Sequence, residues 1–135
     1  MGLTFMELLV VLFLISILVS MSIHHINADD YRLRQEARNL RSTLSDARME
    51  AIRTNETASV RLWTDRYENR HGSVVLISER GFQLTFSGGG ALPHGGYTVS
   101  FSPLGTAPNS HYHLRDPSGN RISIRINPAG SIWLE

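Results

Sequence analysis

Between Leu8 and Ile23 the only residues that are not apolar are Ser16, Ser20 and Ser22. Counted from Leu3, such a run reaches roughly 30 Å as a helix at about 1.5 Å per residue, the thickness of a bilayer's hydrocarbon core. A helix that is apolar on every side must be covered on every side, by lipid or by like helices. At its front stands a single carboxylate, Glu7. Left unpaired in hydrocarbon it costs about 3 kcal/mol or more, which marks it as a functional residue that expects a partner. A secretory signal peptide would place Lys or Arg ahead of the apolar run, and the first six residues contain neither. Ser20-Met21-Ser22 offers only a loose small-x-small site for such cleavage.

The rest of the 135 residues suffices for one modest core. Thirteen arginines stand against twelve acidic residues, so no overall basic field points to nucleic acid. Cysteine is absent, which removes disulfide frameworks, thiolate metal sites and cysteine nucleophiles. Leu33, Ala37, Leu40, Leu44, Ala47 and Ala51 recur at alternating spacings of four and three, the stripe of an amphipathic helix. No Gly or Pro interrupts the chain between Leu3 and Gly72, so the spacing predicts one long rod ending near Thr54-Asn55. Its Arg-rich face, with Arg34, Arg38, Arg41 and Arg48, reads as a solvated surface laced with Asp46 and Glu50.

Beyond Asn55 the period changes to alternation, the pattern of strands with one buried face. Strands are predicted over 58–63, 73–78, 82–86, 97–101, 111–115, 121–126 and 131–134. The expected inward set is Val60, Leu62, Val75, Ile77, Phe82, Leu84, Phe86, Tyr97, Val99, Phe101, Ile122, Ile124 and Ile126, packed on the helix stripe. Asp116-Pro117-Ser118-Gly119 and Asn127-Pro128-Ala129-Gly130 place Pro second and Gly fourth, as antiparallel hairpins with type I turns require. The fold class is therefore α+β: a long N-terminal helix, membrane-spanning in its first half and amphipathic in its second, packed on an antiparallel C-terminal β-domain.

Sites for chemistry are sparse. The glycines of 87–96 lack the following helix and Lys of a phosphate loop and read as a flexible connection. His111 and His113 share one face of a strand, yet no third ligand follows from the sequence, and surface histidines are the simpler account. Ser, His and Asp occur without a nucleophile elbow, so no catalytic residue is expected, and neither a cofactor nor a metal is implied.

The stretch Gly2-Leu3-Thr4-Phe5-Met6-Glu7-Leu8-Leu9-Val10-Val11 resembles the type IV prepilin processing motif. The resemblance implies cleavage between Gly2 and Leu3 by prepilin peptidase, methylation of the new terminus, and assembly through Glu7 with Thr4 and Phe5 beside it. In a bundle of such helices the carboxylate pairs with a neighbour's terminal amine, neutralising two groups that are costly in apolar surroundings. The chain then divides into a leader remnant (1–2), a transmembrane and assembly helix (3–26), its amphipathic continuation (27–55) and a β globular domain (56–135).

Residues 44–55 further resemble the helix end of the minor pseudopilin H subunit of type II secretion and its FimT-like relatives. Val99-Ser100-Phe101-Ser102-Pro103-Leu104-Gly105-Thr106-Ala107 is similar to their Phe-x-Pro-x-Gly strand and turn, and 119–126 with Gly130-Ser131-Ile132 to their final hairpin. This implies a non-enzymatic subunit of the type II secretion pseudopilus, a single-pass inner-membrane protein with its β-domain in the periplasm. Other pseudopilins or pilins, the peptidase and the membrane are its implied partners. The alternative is a minor type IV pilin that binds DNA for natural transformation. On that reading Arg115, Arg121 and Arg125 form the DNA patch, although the chain ends on an acidic residue and lacks the Gly-Arg-x-Arg pattern of those relatives.

Overall fold

The computed structural model describes residues 4–23, 28–68, 72–77 and 81–135, with the side chains of 21–23, 28 and 29 outside that description. Two helices, α1 (Phe5–Ile23) and α2 (Ala28–Thr54), lead into the strands β1 (Ala58–Leu62), β2 (Arg66–Glu68), β3 (Val74–Leu76), β4 (Gln83–Phe86), β5 (Tyr97–Phe101), β6 (Ser110–Arg115), β7 (Arg121–Ile126) and β8 (Ile132–Leu134). Among the described residues no helix is long and apolar enough to cross a membrane. The 19 residues of α1 reach about 28 Å, just short of a bilayer's hydrocarbon. The continuity expected between α1 and α2 depends on residues 24–27, which lie outside the described residues.

Helix α2 buries the whole predicted stripe, from Leu33 to Ala51. It ends where expected, because Asn55 takes a left-handed φ of 55°, a conformation Asn tolerates at a helix C-terminus. The strands form two antiparallel sheets of four, ordered β3-β2-β1-β5 and β4-β6-β7-β8. Helix α2 lies against strands of both, β1 and β5 of the first and β6, β7 and β8 of the second. One apolar cluster therefore joins the helix to the inner faces of both sheets. Within it Leu40, Leu44, Phe101, Tyr112 and Ile124 are sealed from solvent, each contributing roughly 2 kcal/mol by removal of apolar surface from water.

All thirteen residues of the predicted inward set lie in this cluster or pack against it. Alternation along β1 is strict: Ala58, Val60 and Leu62 point inward, Ser59 and Arg61 outward. The expected turns at Asp116 and Asn127 are present, each closed by the glycine N–H on the first residue's carbonyl, at 3.1 and 2.8 Å. A third copy of the device occurs at Ser102-Pro103-Leu104-Gly105, where the Gly105 N–H donates to Ser102 O at 2.7 Å.

The structure corrects several local expectations. Strand β2 was not anticipated, because a three-residue strand carries too little alternation, yet its Tyr67 is buried. The glycine-rich connection 87–96 is organised. Gly89 N–H reaches Phe86 O and Gly96 N–H reaches Pro93 O, Ala91 bridges to Thr85, and Leu92 plugs into the core. Glu36 is buried on α2, with the Tyr67 hydroxyl 3.5 Å from its carboxylate. Arg48 is half-buried rather than solvated: its Nε donates to Gly105 O at 3.0 Å and its Nη2 to Ala129 O at 3.2 Å. One arginine of α2 thus ties two of the three Pro-x-Gly turns to the helix.

Candidate functional site

Thr4 and Glu7 meet at the start of α1. The first helical residue is Phe5, so Thr4 occupies the N-cap position and its hydroxyl accepts from the Glu7 N–H at 3.3 Å. Thr4-Phe5-Met6-Glu7 has the spacing of a capping box, in which a carboxylate three residues into the helix also answers the positive end of the helix dipole. Glu7 therefore carries a local structural role that the sequence reading did not assign. The carboxylate is exposed and meets no cation among the described residues. Gly2 and Leu3, where the processing site was expected, lie outside the described residues.

Behind the cap, every large apolar side chain of α1 from Phe5 to Val19 is exposed, with Phe5 at 76% and Leu18 at 64%. None belongs to the core cluster. Contiguous apolar surface of this extent marks a site of contact with protein or lipid. Among the described residues α1 carries the longest run of exposed large apolar side chains.

The three candidate arginines of the β-domain lie on the outer face of the second sheet. Arg115 and Arg121 are directly paired across β6 and β7, and Arg125 stands opposite His111 on one side and Trp133 on the other. Their surroundings differ. Arg125 Nη1 lies 3.6 Å from the Glu135 carboxylate, which offsets its charge. Arg121, at the start of β7, lines a groove of about 340 Å³ together with Asp30, Arg34 and Arg38 of α2 and with Ile122, Leu134 and Glu135. Arg34 Nε pairs with Asp30 at 3.0 Å, while Arg38 and Arg121 enter no ion pair among the described residues. Sequence spacing alone had no means to find this grouping, since it depends on how α2 is laid across β7.

His113 is buried and His111 half-buried, against the expectation of surface histidines. His113 is 8% exposed, its Nδ1 sits 3.0 Å from Ser123 Oγ, and its ring meets that of His111 at 5.0 Å between centroids. Burial, then His111 and Arg121, push the His113 imidazole below its ordinary pKa, against a backbone hydrogen bond at Ser87 that raises it. The rings meet edge to face, at 64°. No cluster of three metal-ligating side chains exists among the described residues.

No family model and no curated protein matches the sequence. Solved structures do match the fold. One is the type IV minor pilin FimU of Pseudomonas aeruginosa in space group P21, with a TM-score of 0.60 and 17% identity over 79% of this chain and 90% of that one. The same protein in space group P65 gives a TM-score of 0.55 and 15% identity over 76% and 91%. The α+β arrangement of an N-terminal helical region followed by an antiparallel β-domain, as seen here, is thus a type IV pilin-like fold.

Proposed function

We propose that this chain is a minor, non-enzymatic subunit of a pilin-class filament, and that its apparatus is the type II secretion pseudopilus. The observation that carries the reading is α1, apolar all round, exposed along its described length and attached to a pilin-like domain. The precursor sits in the inner membrane with its β-domain in the periplasm, and prepilin peptidase cuts it between Gly2 and Leu3. Released subunits then pack by α1, and Glu7 meets the terminal amine of a neighbour. That pairing replaces two separate desolvation costs with one ion pair and fixes the axial offset between helices. Thr4 and Phe5 hold the front of the helix in register for it.

The assignment to the H subunit rests on the resemblance of residues 44–55, 99–107 and 119–132. A type IV pilus is the second reading, favoured by the likeness to FimU, itself a type IV minor pilin. Against DNA binding through Arg115, Arg121 and Arg125 stands the Arg125–Glu135 pair, which leaves two of the three cations without a carboxylate among the described residues.

The first experiment is intact mass and N-terminal sequencing of the protein from its membranes, with and without the peptidase. A chain beginning at methylated Leu3 only in its presence is the expected result. A chain starting near Ile23, or one that the peptidase never touches, overturns the reading. Glu7→Ala is expected to be cleaved and to fail in filament assembly. Complementation of a secretion-deficient strain against one lacking pili then separates the two apparatuses.

A further inference from the structure

We infer that the groove between α2 and β7 binds the phosphate of an anionic phospholipid headgroup. The inference rests on reading α1 as a membrane helix.

Three arginines from two elements far apart in the chain line this groove: Arg34 and Arg38 on α2 and Arg121 at the start of β7. Two carboxylates share the lining, yet each has its own cation, Asp30 on Arg34 at 3.0 Å and Glu135 on Arg125 at 3.6 Å. Arg38 and Arg121 remain as cations without a counter-charge among the described residues. A planar guanidinium presents paired donors that match phosphate oxygens, so two of them across a groove form a fitting clamp for a phosphodiester.

The apolar part of the lining decides between a free anion and a lipid. Ile122 and Leu134 offer apolar surface in the same groove, which inorganic phosphate cannot use and the glycerol and first acyl carbons of a lipid can. A volume of about 340 Å³ suits a headgroup with its glycerol and exceeds what a bare phosphate fills. In the chain, Arg34 and Arg38 follow closely on the apolar α1. A subunit held by its headgroup would keep the domain oriented on the bilayer until assembly extracts it.

The test is calorimetric titration of the full chain in a zwitterionic detergent with short-chain phosphatidylglycerol, short-chain phosphatidylcholine and inorganic phosphate. Saturable binding of phosphatidylglycerol, one per chain, is expected, with no saturation by phosphatidylcholine. Arg38→Gln and Arg121→Gln should each weaken it roughly tenfold, whereas Arg61→Gln on the other sheet leaves it unchanged. Both substituted residues are exposed, and an unchanged circular dichroism spectrum confirms that the variants fold. No saturable binding, or binding indifferent to Arg38 and Arg121, overturns the proposal. Inorganic phosphate binding as tightly as the lipid also overturns it, in favour of a simple anion site. Cleavage by prepilin peptidase reads residues 2 and 3, which these substitutions do not touch, so failure of the pilin reading and failure of the groove are told apart.

Discussion

Gly130 has no room for a side chain. Its φ is +75°, and a Cβ would run into the Gly105 carbonyl and sit 2.8 Å from Arg48 Nε. Gly119, in the sister turn, has a φ of +90° but open space around it. Gly130→Ala should therefore cost about 3 kcal/mol, from strain plus displacement of Arg48, and Gly119→Ala only about 1 kcal/mol from the backbone conformation, read as shifts in urea unfolding. Equal effects would mean that the close approach at Gly130 does not matter. Arg48→Ala should cost about 2 kcal/mol by leaving two turn carbonyls without their donor. The glycines were legible as turn residues in the sequence. Their clamp was not, because Arg48 lies 57 and 81 residues from the carbonyls it holds.

His113 supplies a pH dependence at the same scale. Its pKa in the folded chain is lowered by burial, His111, Arg121 and Arg115, while the unfolded chain titrates near the ordinary 6.5. The unfolded state then binds the proton more readily, so stability is complete above pH 6.5 and falls as pH drops below it, levelling off once the folded imidazole is also charged. The unfolding midpoint should decline between pH 8 and 5, and His113→Gln should flatten that decline. A midpoint that holds steady with acidification would remove His113 from the account.

Among elements, α2 was the most legible, since six apolar residues at helical spacing survive intact as its buried face. Leu44, fully enclosed on that face, should cost about 3 kcal/mol when cut to Ala. Short elements gave less signal: β2 offers three residues, and only the buried Tyr67 marks it. The capping box of α1 was present in the sequence, yet the prepilin resemblance drew attention to another role for the same Glu7. Both roles place this carboxylate at the helix front. Grooves between elements were illegible, because Arg34, Arg38 and Arg121 come together only through the angle at which α2 crosses the second sheet.

At the level of the whole molecule, alternation could not reveal that β1 pairs with β5 while β4 joins β6, since pairing across connections of this length is a tertiary choice. Among the described residues the core cluster contains nothing from α1. Removal of residues 1–27 should accordingly leave a folded β-domain with α2 attached, monomeric without detergent in size-exclusion chromatography. Loss of its cooperative unfolding would show that α1 supports the core after all.

The lengthwise seating of α2 has a mechanical consequence. Its buried residues run from Leu33 to Ala51, they face both sheets, and Arg48 pins the far end to two turns. A pull applied at the N-terminal end meets all of these contacts side by side, in shear. The domain would resist such a tug along the helix far better than a peel across it.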